Sequence, residues 1–520
     1  MVILTMEDQN CRTPSVGQRI QVGDSRGTVM YVGPVPPTKG IWLGIDWDDP
    51  SRGKHDGVYD GQRYFQARYS TSGSLVRLEK VNLGQTIVEA VKERYGADKQ
   101  LMDEKEKEEI QKALNAPLFE TVGFERQACE NFGALTVLGL SLHRVASAGE
   151  PGDLAKLCPH VSYLELSRNL LNSWQTVADI TTGLNRLTVL DLSENRLRFQ
   201  DCDLVKVKNA IPKFQFLSLS RVEYDWDDIL TCAVMWPSIA TLEVSFNNIT
   251  FLKSPPSDIF QNLRNLDLQG NHIKDWSEIA KIGHLPLLDT LNASETGLTR
   301  ISIDESSNPF PSLRFLLLSD NYINQWESVS ELNKLRKLTE LKFKSNPVLD
   351  GIAPGTARQI IIARISTLKV LNSQEVPADE RRGAEYDYLK ITTRTWMDVR
   401  NGDPDTKSAF FKLHPRYAEL IKQYGEIEAS EIAEIPTTLK SRLMEVKLSY
   451  QDSTVSKKLS PDMTVSRLKS LARRIFSITS YENTFVLVSH KNTLVEIDLD
   501  LDMKPLSYYS LESGDIIRIS

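Results

Sequence analysis

A short segment near the N-terminus, bracketed by glycines, carries residue types that could bind an anion. It reads Gly-Lys-His-Asp-Gly, so that a cation, an imidazole and a carboxylate lie between two glycines. Glycine permits backbone conformations in which successive N–H groups converge on an anion, and the lysine adds a positive charge. We therefore predict a backbone nest that captures the terminal carboxylate of an acidic peptide. The residues expected to form this site are Gly53, Lys54, His55, Asp56 and Gly57.

Aromatic residues flank this pentapeptide on both sides. Large rings can build an apolar groove for a terminal aromatic side chain of the bound peptide. The alternative is a structural turn whose flanking aromatics belong to the core. The residues expected to line the groove are Trp42, Trp47, Tyr59, Tyr64 and Phe65.

The elements around this site predict a small all-β barrel, because short apolar runs alternate with turn residues between 17 and 81. Over residues 9–83 the sequence resembles a CAP-Gly domain. That family binds the acidic, aromatic-ended C-terminal tails of α-tubulin and of microtubule-end proteins, and its signature is Gly-Lys-Asn-Asp-Gly. Here His55 stands in the place of the asparagine, and Leu75 stands where the family has a phenylalanine.

The next segment predicts a helical connector over residues 84–134. Glu and Lys alternate through its first part with few apolar positions. Such a pattern is typical of a solvated helix, and we expect it to act as a spacer.

Residues 135–375 contain an internal repeat with the pattern L-x-x-L-x-L-x-x-N-x-L. Nine copies begin at intervals of 24 to 27 residues, and repeat positions 1, 4, 6 and 11 are apolar in all of them. The array resembles leucine-rich repeats and predicts an α/β solenoid, in which each repeat adds one short strand and neighbours bury a shared core. Asparagine at repeat position 9 is expected to point inward and satisfy backbone groups. Tryptophans that recur at a fixed offset are expected to pack the outer layer.

The strand side chains that face outward predict a partner-binding surface. Repeat position 5 carries four acids, and position 3 carries aromatics beside them. The alternative is the ordinary polarity of any solenoid surface. The residues expected on the binding face are Tyr163, Glu165, Asp191, Phe216, Glu243 and Asp267.

The C-terminal part predicts a cap, a linker and a separate small domain. Residues 376–440 are expected to cap the array, which would otherwise expose its last core layer, and then to run into a helix and a linker. Residues 441–520 show a β-β-α-β-β order and resemble a ubiquitin-like domain. The predicted fold class is multidomain: a small all-β CAP-Gly barrel, an α/β leucine-rich repeat solenoid and an α+β ubiquitin-like β-grasp domain. The last domain is either a docking module or a structural terminus.

Composition and motif content argue against several classes of function. The net charge of −7 and the pI near 5.7 argue against sequence-independent nucleic-acid binding. The five cysteines are widely spaced, which favours a reduced intracellular protein without a cysteine-based metal site. The sequence contains no long apolar run, nucleotide-binding motif or catalytic motif. We therefore expect a cytoplasmic protein that is not an enzyme, with no metal, cofactor or membrane contact, and the CAP-Gly resemblance implies that it is cytoskeleton-associated.

The order of the three domains resembles the tubulin-folding cofactors over nearly the whole chain. This resemblance implies a chaperone that assists folding, assembly and dissociation of the α/β-tubulin heterodimer. Its implied partners are α-tubulin, through its C-terminal tail and its body, and the folding cofactors B, C and D. The alternatives are a microtubule-end adaptor and a ubiquitin-pathway scaffold protein.

Overall fold

The computed structural model divides the chain into two compact units at residue 427. The structure describes residues 13–96, 132–200, 202–304, 309–427, 443–451, 453–478, 485–488, 496–499, 501–509, 511 and 514–519. Within these ranges, none of the helices has the length and apolarity that crossing a bilayer requires.

The first unit begins with a small barrel. Its strands are Arg19–Val22 (β1), Ser25–Pro34 (β2), Ile41–Trp47 (β3), Val58–Tyr59 (β4), Gln62–Arg63 (β5) and Gly73–Arg77 (β6). Four of them form an antiparallel sheet in the order β1-β2-β3-β6, and β4 pairs with β5. Alternate residues of β3 point into the core, where Leu43, Ile45 and Trp47 are fully buried. The opposite face of β3 therefore carries Trp42, Gly44 and Asp46.

The segment after the barrel is not the solvated spacer that its charge pattern predicts. Gln85–Thr86 (β7) pairs in parallel with Val145–Ser147 (β9), and helix Ile87–Tyr95 (α1) follows at once. A capping box between Thr86 and Glu89 starts this helix. Ile87, Ala90 and Val91 are fully buried in the solenoid core. The helix therefore covers the first repeat, and the rest of the predicted connector, 97–131, lies outside the described residues.

The solenoid sheet has eleven strands. They are Val137–Gly139 (β8), Tyr163–Glu165 (β10), Val189–Asp191 (β11), Phe216–Ser218 (β12), Thr241–Glu243 (β13), Asn265–Asp267 (β14), Thr290–Asn292 (β15), Phe315–Leu317 (β16), Glu340–Lys342 (β17), Val370–Leu371 (β18) and Gln374–Glu375 (β19). Neighbouring strands from β8 to β18 are parallel, and only β19 is antiparallel to its neighbour. Strands β8 and β10 to β17 each occupy positions 3 to 5 of one repeat, as the repeat pattern predicts.

Inward side chains join the repeats into one core. The central leucine of each three-residue strand is buried, as Leu190 and Leu242 illustrate. Asn169 accepts a hydrogen bond from the Val145 N–H and donates to the Leu140 carbonyl, both at 2.8 Å. The expected structural role of these asparagines is therefore confirmed.

Helices between strands complete the repeats. They are Asp153–Leu157 (α2), Trp174–Thr181 (α3), Leu204–Ala210 (α4), Trp226–Ala233 (α5), Trp276–Ala280 (α6) and Trp326–Glu331 (α7). Trp174 and Trp276 are buried, which confirms that they are packing residues.

The solenoid ends in a helical cap that is larger than predicted. Its helices are Pro354–Arg364 (α8), Ala378–Val399 (α9), Pro404–Leu413 (α10) and Tyr417–Tyr424 (α11). Arg416 and Glu385 form an ion pair at 2.9 Å, and both side chains are 3% exposed. The cap helices continue as far as Tyr424, and most of the linker predicted within 376–440 lies outside the described residues.

The second unit is a β-grasp domain. It contains Met444–Tyr450 (β20), Ser453–Leu459 (β21), Val465–Phe476 (α12), Phe485–Val488 (β22), Glu496–Asp498 (β23) and Ile516–Ile519 (β24). The mixed sheet has the order β21-β20-β24-β22-β23, with β20 and β24 parallel. Thr464 caps α12, and the ubiquitin-like fold is confirmed. The sequence did not predict β23, an edge strand of three residues.

Candidate functional site

Two glycines fix the shape of the predicted anion-binding loop. Gly57 has a φ of +105°, and a Cβ added there would lie 2.1 Å from the Phe65 carbonyl oxygen. At Gly53 a Cβ would lie 2.3 Å from the Thr71 carbonyl oxygen. Neither position accepts a side chain without movement of the backbone beside it.

Three backbone N–H groups of this loop, those of Lys54, His55 and Gly57, are engaged within the barrel. Lys54 N–H and His55 N–H both donate to the Gly73 carbonyl, at 2.7 and 3.2 Å. Gly57 N–H donates to His55 Nδ1 at 3.0 Å, and Val58 N–H donates to Asp56 Oδ1 at 3.3 Å. The N–H groups of Lys54, His55 and Gly57 therefore do not converge on an anion. A nest stays a prediction that only the N–H groups of Gly53 and Asp56 could supply, and side chains offer the other donors.

His55 is held as a neutral ring that offers one donor. Its Nδ1 accepts a hydrogen bond, so the proton of the neutral imidazole lies on Nε2. Burial lowers the pKa of His55 and outweighs the opposite effect of Asp56. An asparagine would accept the same bond with its amide oxygen and keep its NH₂ as donor. His55 therefore reproduces the division of roles that the family asparagine can supply.

The two charged neighbours of His55, Lys54 and Asp56, differ in whether their charge is available to a ligand. Asp56 pairs with Arg63 at 2.8 Å, and hydrogen bonds from Arg63 and from the Val58 N–H lower the pKa of Asp56. Asp56 therefore holds the loop together rather than facing a ligand. Lys54 is exposed and forms no ion pair with any residue that the structure describes, which leaves its charge available to an acidic peptide.

The predicted groove aromatics separate into two groups. Trp47 is fully buried among the core residues, so it cannot line a groove. Phe65 is 7% exposed and packs edge-on against His55 with a ring separation of 6.0 Å. Phe65 therefore supports the loop from beneath. Trp42 and Tyr64 are half-buried and Tyr59 is exposed, so these three rings remain available to a ligand.

Two residues of the groove face were not predicted. Tyr31 packs edge-on against Tyr64 at 5.3 Å, and the Arg77 guanidinium lies 3.9 Å from the centre of the Trp42 ring. Strand pairing of Tyr31 with Gly44, and of Arg77 with Trp42, places them all on the face opposite the core. The register of β2 shifts between Val29 and Tyr31, so simple alternation along this strand does not identify Tyr31.

The acids of the solenoid lie in one row, as the repeat pattern predicts. Glu165 pairs in register with Asp191, and Glu243 pairs in register with Asp267, with Ser218 between the two pairs. Tyr163 and Phe216 are half-buried in the adjacent row. The structure therefore brings the six predicted residues onto one face.

Burial dominates the electrostatics of this acidic row. It raises the pKa of all four carboxyls, and it raises the pKa of Glu243 to about 7. Arg168 partly opposes the shift at Glu165 and Asp191. At Glu243 the opposing contact is a hydrogen bond from Ser218, which carries no charge. The row therefore presents carboxylates whose ionisation a cationic partner would favour.

The described residues contain no cluster of His, Cys, Asp or Glu that could hold a metal ion.

Comparisons with known proteins agree with this architecture. Residues 16–81 match the CAP-Gly domain family. Tubulin-specific chaperone E of Bos taurus is 36% identical over 524 residues, covering 97% of this chain and 98% of that protein. The Danio rerio protein of the same name is 37% identical over 526 residues, with the same coverage. The solution structure of the C-terminal ubiquitin-like domain of mouse tubulin-specific chaperone E is 27% identical, with a TM-score of 0.15, and covers 16% of this chain and 91% of that one.

Proposed function

The chain belongs to the tubulin-specific chaperone E family, and from this premise we propose that it is a tubulin-binding chaperone. It assists assembly and dissociation of the α/β-tubulin heterodimer in the cytoplasm. Its barrel captures the C-terminal tail of α-tubulin, and its solenoid docks the body of the subunit. The observation that carries the tail-binding part is the exposed Lys54 next to His55, whose ring lies 6.4 Å from that of the exposed Tyr59.

The groove offers the complementary chemistry for an acidic peptide with a terminal aromatic residue. Lys54 supplies an unpaired positive charge, and His55 supplies a fixed N–H donor. Trp42, Tyr59 and Tyr64 supply apolar surface for the ring. Because three of the five loop N–H groups are engaged within the barrel, we infer that side-chain donors contribute most of the carboxylate binding.

The solenoid face offers complementary chemistry for a basic surface on the body of the subunit. Its carboxylates are half-buried in a row, and Tyr163 and Phe216 lie beside them. Burial deprives these carboxylates of hydrating water, and a cation that enters the row would compensate for that loss. The strength of such a contact depends strongly on its geometry. We infer that arginine or lysine side chains of tubulin meet this face.

Dimer dissociation follows from binding energy in this proposal. A binder shifts an equilibrium only by its differential affinity for the two states. We therefore expect stoichiometric action, with the folding cofactors B, C and D as further partners and no nucleotide turnover by this chain.

Fluorescence anisotropy with an α-tubulin tail peptide tests the tail-binding part. The intact peptide should bind, and a peptide that lacks the terminal residue should bind at least about tenfold more weakly. Lys54→Ala should weaken binding about two- to fivefold at low salt, because it removes one exposed charge. Lys80→Ala is the matched control, since Lys80 is an exposed lysine of the same barrel outside the loop. Equal affinity for the two peptides would contradict tail capture.

Size exclusion with purified tubulin tests the chaperone class. A soluble complex with the dimer or with α-tubulin supports it. Co-sedimentation with polymer instead would identify a microtubule-end adaptor.

A further inference from the structure

The barrel and the solenoid meet through charged side chains. Arg68 of the barrel approaches Glu223 of the solenoid, with Nη1 and Oε2 2.5 Å apart. A second contact joins Arg26 to Glu194 at 3.3 Å. Asn172 also donates a hydrogen bond to the Gly17 carbonyl at 3.3 Å. The three contacts involve three successive repeats, so the barrel lies across one edge of the solenoid.

These charges form a network of alternating sign. Glu223 binds Arg196 of its own solenoid edge at 2.8 Å, and Arg196 reaches back to Asp48 of the barrel at 3.8 Å. Asp48 in turn receives two hydrogen bonds from Arg19. The network therefore crosses between the two parts more than once, and each charge has a neighbour of opposite sign.

The arginine on each side of the contact is also held by hydrogen bonds within its own part of the molecule. Arg68 donates to Asp46 at 2.6 Å and to the Trp47 carbonyl at 2.9 Å, both within the barrel. Arg196 donates to the Arg221 carbonyl at 2.8 Å within the solenoid. A guanidinium that is already fixed loses little conformational entropy when a carboxylate binds it.

Opposite charges favour the ionised forms of Arg68 and Asp48, whereas burial lowers the pKa of Arg26 and of Arg196, and ionic strength is the variable that we expect to weaken the network. Burial lowers the pKa of Arg68, but Glu223 and Asp46 outweigh that effect and raise it. Burial raises the pKa of Asp48, but Arg19 and Arg196 outweigh that effect and lower it. Between the two parts lies a cleft of about 290 Å³ that Arg68 and Glu223 line together with apolar side chains such as Phe199 and Val222. Salt screens ion pairs to the extent that they are exposed, so we expect it to weaken the contact.

The covalent connection is also short and fixed. After Leu78–Lys80 the chain reaches β7 through residues 81–84. Gly84 has a φ of +85°, and a Cβ there would lie 2.5 Å from the Arg144 carbonyl oxygen. The connection thus lies directly against the first repeat and leaves the barrel little room to move away.

We propose that this ionic network fixes the barrel on the solenoid, so that the tail groove has one set position relative to the acidic row. The positioning residues are Arg26, Asp48 and Arg68 of the barrel and Glu194, Arg196 and Glu223 of the solenoid. Under the proposed function, a tail and a subunit body then meet a preorganised pair of surfaces rather than two tethered ones. The fixed position itself does not depend on tubulin.

Distances between spin labels test the fixed position on the full chain. Labelled non-natural residues replace Lys39 in the barrel and Lys208 in the solenoid, both exposed. The wild-type distribution should be narrow at about 0.1 M salt and broaden at about 1 M salt. Glu223→Arg should broaden it at low salt, because three guanidinium groups would then lie together. Glu295→Arg, an acid farther along the same solenoid, is the control and should leave it narrow.

A double-mutant cycle tests whether the pairs act directly. Arg26→Gln and Glu194→Gln should each broaden the distribution, and the double variant should be no broader than either single variant. A distribution of equal width in wild type and Glu223→Arg would overturn the proposal. Additive broadening in the cycle would also overturn it.

Binding assays separate this inference from the proposed function. Glu223→Arg should bind the tail peptide as wild type does and bind the tubulin dimer at least about fivefold more weakly. If wild type fails to bind the peptide, the proposed function is wrong, whereas the distance measurements still decide the fixed position. Unchanged dimer affinity in Glu223→Arg, with normal peptide binding, would overturn the positioning role.

Discussion

The glycine loop of the barrel and the acidic row of the solenoid bind, in our account, two parts of one partner, yet they are built in opposite ways. The loop is one contiguous pentapeptide in which three of the five backbone N–H groups are engaged within the barrel and the lysine is exposed. The row takes one residue from each of several repeats and holds carboxyl groups whose pKa burial raises. The loop therefore depends on local backbone shape, and the row depends on the core that stacks the repeats.

The two regions also have opposite pH dependence. The pKa of His55 is lowered in the fold, so the barrel is most stable above the ordinary histidine pKa and loses stability as pH falls through it. The pKa of Glu243 is raised to about 7, so its contribution to solenoid stability is present at acid pH and is lost as pH rises toward 7. Acid pH therefore destabilises the barrel through His55 and stabilises the solenoid through protonation of Glu243.

The largest effect is expected from a substitution that distorts only the glycine loop. Gly57→Ala places a Cβ against the Phe65 carbonyl at a φ that disfavours side chains, and it should reduce tail-peptide affinity by more than about 100-fold. Gly61→Ala is the matched control, because Gly61 also has a positive φ of +74° but open space around it. Anisotropy measures both, and equal affinities would show that the loop shape does not carry tail binding.

The next largest effect is expected from a substitution in the core beneath the acidic row. Leu190 is fully buried beside Asp191, and Leu190→Ala should lower the free energy of unfolding of the solenoid by about 2 to 5 kcal/mol. Tail-peptide affinity should stay the same. Leu142→Ala is the control, since Leu142 is 51% exposed and should cost under about 0.5 kcal/mol. Denaturant unfolding followed by circular dichroism gives both values, and similar costs would contradict the stacked core.

A smaller effect is expected from removing the Glu243 carboxylate, and it should differ between acid and alkaline pH. Glu243→Gln removes a carboxylate whose charge the fold disfavours, so it should stabilise the solenoid by on the order of 1 kcal/mol at pH 8. At pH 4.5 the same variant should give no gain, because the folded wild type is then protonated. Thermal unfolding at the two pH values measures this difference. A gain that is equal at both would contradict a raised pKa.

The smallest effect sharpens the contrast in the loop. His55→Asn should bind the tail peptide within about twofold of wild type at pH 8, because both side chains accept from Gly57 N–H and keep a donor. As pH falls below the ordinary histidine pKa, wild type should lose affinity when His55 gains a second ring proton, and the asparagine variant should not. Parallel pH profiles for the two chains would show that His55 protonation does not control the loop.

Features that repeat or that form a compact motif could be predicted from the sequence. The pentapeptide and the flanking aromatics predict the barrel, and the nine repeats predict the register that aligns the four acids. The same reasoning misplaced Trp47, because only the pairing of β3 shows which of its faces is the core. It also missed the cap role of α1, whose three buried apolar residues are few among the charges around them.

The contact between barrel and solenoid left no sequence signal. Arg68 and Glu223 are 155 residues apart. Arg68 belongs to no motif, and Glu223 occupies a repeat position that the pattern L-x-x-L-x-L-x-x-N-x-L leaves variable. Tyr31 was missed for a local reason, since the irregular register of β2 hides which face it shares. Long-range ionic contacts and strand irregularities require the folded structure.

The central claim is that one chain holds the tail and the body of α-tubulin together, and binding to tubulin with and without the α-tubulin tail tests it most directly. Isothermal titration of the full chain should give at least about tenfold weaker binding to tailless dimer than to intact dimer. The acidic row should still support measurable binding, and charge reversal of Glu165 and Asp191 together should remove most of it. Equal affinity for intact and tailless dimer would contradict the account.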